Sequence, residues 1–258
     1  MIPLLPERDS DTPAGEELHR MSLIDHLEEL RKRIMWSIVS LAVTFGPCWA
    51  YREEIVNFLS RPLHTPQQPD LKLSFLKVTD PFILYFKVAG LASLFLASPF
   101  ILYQLWQFVA PGLYRKEKMY AIPFILSATF FFIAGGAFGY YLAFPAAVEF
   151  LLGMGKQFTA VITIDSYFSF LITVILGLGL MFEMPIVILV LAMIGVVSPK
   201  FLLRQWRYAV VIIFIVAAII TPTPDVVNLC LWALPGCGLY FLGVGAAFMV
   251  APKKPRWE

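Results

Sequence analysis

Long apolar runs separated by short polar stretches dominate the chain. Six of them reach or approach the roughly 20 helical residues that a hydrocarbon layer about 30 Å thick requires. They fall at about 34–51, 82–111, 119–144, 167–197, 208–220 and 226–250. The fifth, Tyr208 to Ile220, is short, about 20 Å of helix at 1.5 Å per residue. Pro222 and Pro224 end it, and Pro235-Gly236 interrupts the sixth. A span that short predicts local thinning of the bilayer around it. The pattern predicts an all-α, polytopic membrane protein with a membrane domain over 22–250. Residues 1–21 and 251–258 read as polar tails. Met1 to Arg20 lacks the apolar core of a secretory signal peptide, so the first tail is expected in the cytosol.

Ahead of the first run, Ser22-Leu-Ile-Asp25 fits a capping box and predicts a helix start. Leu23, Leu27, Leu30 and Ile34 then share one face, with Asp25, Glu29 and Lys32 opposite and Glu28 beside them. One reading is an interfacial amphipathic helix with solvated, i,i+4-paired charges. The other is an acidic face open to a cationic ligand.

Composition sharpens the class. Of 258 residues, 59% are hydrophobic and 15% charged, against about 25% charged in soluble domains. The net charge of +2 argues against nucleic acid as a partner. Cys48, Cys230 and Cys237 lie in apolar segments, with the spacing of neither a zinc site nor a disulfide framework. Lys and Arg set the orientation. Arg31, Lys32, Arg33, Arg115, Lys116, Lys118, Lys200, Arg204, Arg207, Lys253, Lys254 and Arg256 cluster on one side of six crossings, and Arg52, Arg61, Lys72, Lys77 and Lys156 on the other. The positive-inside bias therefore predicts cytoplasmic N and C termini.

Several carboxylates ask for partners. Glu117 follows the aromatic end of the second run, after Pro111-Gly-Leu-Tyr-Arg-Lys116. It either neutralises its own basic loop, an exposed arrangement worth about 0–1 kcal/mol, or joins Glu29 on the same rim to grip guanidinium groups. Glu183 sits near the middle of the fourth run, where an ionisable group is costly and faces protein, a cavity or a partner. Hydrogen bonding inside the bundle beside Pro185 is the alternative. Asp225 fits an N-cap of the sixth helix, and Gly135 with Gly139 fits close helix packing. No phosphate-binding loop, H-E-x-x-H or nucleophilic constellation occurs, so the chain reads as neither an ATPase nor another enzyme, with no cofactor or metal.

These segments resemble a known family. His26-Leu-Glu-Glu-Leu-Arg-Lys-Arg33, Pro62-Leu63, Ser98-Pro-Phe-Ile-Leu-Tyr-Gln-Leu-Trp-Gln-Phe-Val-Ala-Pro-Gly-Leu-Tyr-Arg-Lys-Glu117, Phe182-Glu-Met-Pro185 and Thr221-Pro-Thr-Pro-Asp225 occur in the order seen in the TatC family. TatC is the multispanning subunit of the twin-arginine protein translocase. The resemblance covers about residues 22 to 250. It implies a six-helix, glove-like bundle in an energy-transducing inner or plasma membrane of a bacterium, archaeon or organelle. It further implies binding of twin-arginine signal peptides of folded precursors, assembly with the single-span subunits TatA and TatB, self-association in the receptor complex and protonmotive-force-driven export. Residue by residue, it implies signal-peptide binding by Glu29 and Glu117 with Arg31 and Phe108 nearby. It implies an intramembrane polar contact by Glu183, with TatA, TatB or signal peptide, and structural roles for Pro62, Pro99 and Asp225. The family's polar residues in the sixth helix correspond here to Leu229 and Phe241, which implies weaker polar docking of partners there. The competing expectation is a proton-coupled small-molecule transporter that uses Glu183, and a third is a passive scaffold.

Overall fold

A computed structural model describes residues 23–63, 73–110, 121–155, 157–158, 161–221, 223 and 225–250. Ten α-helices account for nearly all of them: α1 Leu23–Ala50, α2 Arg52–Leu59, α3 Asp80–Val109, α4 Ala121–Phe138, α5 Phe144–Met154, α6 Ile164–Phe182, α7 Met184–Ile194, α8 Pro199–Arg204, α9 Trp206–Ile220 and α10 Val226–Val250. Among the described residues the only β-pairing is an isolated bridge between Ser74 and Thr163.

Among the described residues, four runs are long and apolar enough to cross a membrane: Asp80–Val109, Ala121–Met154, Ile164–Ile194 and Val226–Val250. The first crossing is α1, bent by 81° into α2 just after Ala50. The shorter α9 supplies the sixth. Its 15 residues give about 22 Å of helix, less than the thickness of the hydrocarbon.

Breaks within the spans follow local chemistry. Between α4 and α5 the chain makes a π-helical turn, Gly139–Ala143, and the helix continues to Met154, beyond the apolar run ending near 144. The α6–α7 break falls at Glu183, and α7 restarts with Pro185 in its first turn, because proline lacks the N–H that would continue the ladder. Gly195 ends α7 in the left-handed conformation at φ 81°, with bonds back to Ala192 and Leu191, the usual glycine stop.

Around the bundle, α1 packs on α3, α3 on α4, α4 on α6, α7 on α10 and α10 on α9. The apolar centre includes Val88, Phe144, Phe168, Leu171, Leu178 and Trp232, all nearly or fully buried. Lipid tails are as apolar as leucine, so close backbone approach has to drive this packing. Glycines provide it. A Cβ on Gly135 of α4 would lie 2.6 Å from the Leu178 carbonyl oxygen and 2.7 Å from Phe182 Cβ on α6. A Cβ on Gly177 would lie 2.3 Å from the buried Trp232 ring. A Cβ on Gly139, first residue of the π-turn, would lie 3.2 Å from Ile175 Cα and the Val174 carbonyl oxygen, so the G-x-x-x-G is a packing seam.

The bent end of the bundle is tied by hydrogen bonds. Tyr140 and Tyr167 donate to the carbonyls of Phe58 and Leu59, at 2.5 and 3.1 Å. Both carbonyls lie at the end of α2, where Phe58 also accepts a backbone N–H of the cap. Lys87 of α3 reaches Asp165 Oδ1 at 2.9 Å and Ser169 Oγ at 3.0 Å on α6.

Gly135→Ala is expected to destabilise the chain by about 1–3 kcal/mol through overpacking against backbone. Gly90→Ala in α3, where no atom lies within 4 Å of the added carbon, is expected to be neutral or to stabilise by up to about 1 kcal/mol. Thermal unfolding of both variants in detergent measures the contrast.

Candidate functional site

Three places hold the polar chemistry, and the first joins α1 to the end of α3. Helical spacing puts Glu29 and Arg33 one turn apart, and their side chains pair at 3.1 Å. On α3, Gln104 and Gln107 are also a turn apart, and both accept from Arg33 Nη1, Gln104 at 3.3 Å. Tyr103 and Gln107 are hydrogen-bonded to each other. Gln104 is buried, and the Glu29 and Arg33 side chains are only 16% and 23% exposed. Two atoms of this cluster are left over. Glu29 Oε2 and Arg33 Nε are buried without a hydrogen-bond partner. Arg31 points outward and is exposed, and Phe108 is half-buried next to Gln107. Glu117 lies outside the described residues.

The two faces of α1 are the expected ones, but the charged pair on the polar face packs on α3 instead of being solvated. Leu27 and Ile34 are 64% and 49% exposed, whereas the pair Glu29–Arg33 turns toward α3. In lipid, polar groups seek the protein side and apolar ones face outward. Sequence reasoning singled out Glu29 but passed over Arg33, Gln104 and Gln107. The signal was present as two i,i+3 or i,i+4 polar pairs on helices that neighbour each other.

The second place is a groove of about 500 Å³ between α3, α4 and the α6–α7 break. Leu94, Ile101, Leu105, Phe124, Phe132 and Val187 are among its apolar lining, with Ser98 and Glu183 the polar members. Ser98 is spent on the Phe95 carbonyl of its own helix, at 2.8 Å. Glu183 Oε1 is buried with no hydrogen-bond partner. An unmet buried polar atom costs about 1–3 kcal/mol, and more when charged. Any donor that enters the groove relieves that cost. Pro99 follows Ser98 inside α3.

The third place lies at the other end of the bundle, where α10 begins. Asp225 Oδ1 accepts from the Asn228 N–H at 2.7 Å, and Oδ2 from the Asn228 side chain at 2.8 Å. That is N-cap geometry. Burial works to raise the Asp225 carboxyl, but hydrogen bonds from Asn228, Thr223 and Val227 together hold it below its ordinary range. Pro62 sits at this end too, in the short 3₁₀ turn Arg61–Leu63 after α2. Among the described residues no group of three His, Cys, Asp or Glu is placed to hold a metal ion.

A broken α6–α7 span, a bent first crossing and an acid in an apolar groove define a multi-span helical membrane protein. The family profile described as "Sec-independent protein translocase protein (TatC)" matches residues 25–235. A relative of that name from Koribacter versatilis (strain Ellin345) is 48% identical over 93% of this chain and 90% of its own. One from Deinococcus radiodurans is 40% identical over 93% and 90%. Among solved structures, "Crystal Structure of Twin Arginine Translocase Receptor- TatC" covers 87% of this chain and 99% of its own at 34% identity, with a TM-score of 0.76. A second, in DDM, scores 0.78 over 88% and 100%. The chain belongs to the TatC family, and is a multi-pass subunit of the Sec-independent protein translocase.

Asp225→Ala is expected to cost about 1 kcal/mol at neutral pH through loss of the cap. Because the folded carboxyl is depressed, this contribution is present above the unfolded value, about 3.9. It is lost as pH falls through the folded value. The melting temperatures of wild type and variant in detergent should therefore converge on acidification from neutral pH to below 3.9.

Proposed function

We propose that this chain is the receptor subunit that binds twin-arginine signal peptides of folded precursors at the cytoplasmic rim and gathers TatA and TatB for protonmotive-force-driven export. The observation that carries the reading is Glu29: a half-buried carboxylate held at the α1–α3 junction with Oε2 unpartnered. An acceptor fixed by its surroundings and lacking its second hydrogen bond suits a guanidinium, which donates from a planar fork that lysine lacks. The Lys and Arg bias of the loops supports a cytoplasmic side for this end and for both termini. Arg31 and Phe108 flank the same corner, and Glu117 belongs to the loop that follows α3. The groove that begins near Val109 and runs down to Glu183 offers an apolar track for the segment after the arginines. Glu183 then serves as the polar contact for a TatA or TatB helix or for the signal peptide itself. Pro62, Pro99 and Asp225 shape the frame, and the receptor associates with itself in the membrane.

Photo-crosslinking from a position beside Glu29 tests the receptor role. A peptide with paired arginines should be captured, and its di-lysine counterpart should not. Glu29→Gln should lower capture about 10-fold or more, the factor expected when a charge-assisted hydrogen bond is lost. Equal capture of both peptides would remove the reading.

Glu183→Ala should lower copurification of TatA or TatB, while Glu183→Gln, which keeps an acceptor, should retain most of it. The transporter alternative makes an opposite demand. Liposomes holding this chain alone would take up a solute in a Glu183-dependent way, and no such uptake is expected.

A further inference from the structure

We infer that Arg33 is an internal stand-in for the ligand's guanidinium, occupying Glu29 until an incoming arginine displaces it. The inference rests on the receptor reading above and adds a competitor to it. Arg33 is one turn from Glu29 and contacts Oε1 through Nη2 at 3.1 Å. That contact uses one carboxylate oxygen and one nitrogen of the fork. The other carboxylate oxygen, Oε2, and the guanidinium Nε both remain buried and unpartnered. Each partner is thus held by half of what it can exchange. A bidentate pair from outside would satisfy both carboxylate oxygens, and so outbids the internal bond in geometry.

The displaced cation also has somewhere to go. Arg33 Nη1 already rests against the side-chain oxygens of Gln104 and Gln107 on α3. Those neutral acceptors can keep the guanidinium when Glu29 lets go, so no buried charge is stranded during the exchange. Arrangement and spacing therefore describe a relay: Glu29 changes partner, and Arg33 stays on the glutamines. A residue that only positioned Glu29 would need both oxygens engaged, or an Oε2 open to the ligand. Here Oε2 is neither engaged nor open to solvent. The other cations on this part of α1 are not so engaged. Arg31 and Lys32 are exposed and make no ion pair among the described residues.

A competitor and a positioning residue predict opposite signs. Binding of a fluorescent twin-arginine peptide is measured with the full chain in nanodiscs, alone and with its partner subunits. Arg33→Gln should tighten binding about two- to five-fold, the range that loss of one partly exposed ion pair allows. Gln104→Leu combined with Gln107→Leu should weaken it, since Arg33 then has only Glu29 to rest on. Lys32→Gln removes the same charge one residue away and should change affinity by much less. Thermal unfolding of each variant confirms that the fold is kept.

Equal or weaker binding by Arg33→Gln overturns the inference, as does an equal gain from Lys32→Gln, which would mean bulk charge alone. Failure of the wild-type chain to prefer paired arginines over paired lysines overturns the receptor reading itself, and this inference with it.

Discussion

The structure depends on how closely α6 and α7 can approach their neighbours. Nothing in hydrocarbon pushes apolar helices together, so contact must come from shape. Gly135 lets α4 lie against the Leu178 carbonyl, Gly177 receives the Trp232 ring, and Gly243 of α10 would set a Cβ 2.8 Å from Pro185 Cα. These contacts run along both sides of the α6–α7 span. With that span clamped on two faces, its break at Glu183 cannot be absorbed by a rigid-body shift. The groove beside it is therefore a built feature of the fold.

The same clamp explains why the bent end is ordered. In α6, Tyr167 donates to Leu59, and in the π-turn after α4, Tyr140 donates to Phe58. Two spans thus hold the last carbonyls of α2. A π-turn shifts the helix register, and Tyr140, its second residue, meets α2 from there. Lys87 bridges α3 to Asp165 at the same level. Polar pairing is spent mainly at the ends of the bundle and glycine contacts are spent in its middle, as lipid requires.

Much of this was legible in sequence because lipid makes hydropathy a direct reading of topology. The six apolar runs, the cap at Asp225 and the G-x-x-x-G seam each follow from one local rule. The contact of α1 with α3 did not. The amphipathic pattern set Glu29 opposite Leu27 and Ile34 but did not say what the polar face meets. Arg33, Gln104 and Gln107 were missed because their meaning lies in a contact between helices some 70 residues apart. Hydropathy ranks such glutamines as interruptions, and only the packing of α1 on α3 turns them into acceptors. Glu117 remains an expectation from sequence, since it lies outside the described residues.

Glu29 and Glu183 are both partly buried acids, and their surroundings divide them. Glu29 has a cation within 3.1 Å and two glutamines behind that cation. Its charge is compensated, so a new partner gains only the difference between a half-made pair and a full one. On the receptor reading, such a site would discriminate by geometry, favour guanidinium over ammonium and release its ligand readily. Among the described residues Glu183 has no cation in its groove, and Ser98, the other polar member named there, is already committed to its own helix. A donor arriving there gains the whole cost of an unmet buried acceptor. Compensation at the rim thus suits reversible recognition, and its absence in mid-membrane suits a longer-lived contact between helices. On the receptor reading, one chain carries both because recognition precedes assembly.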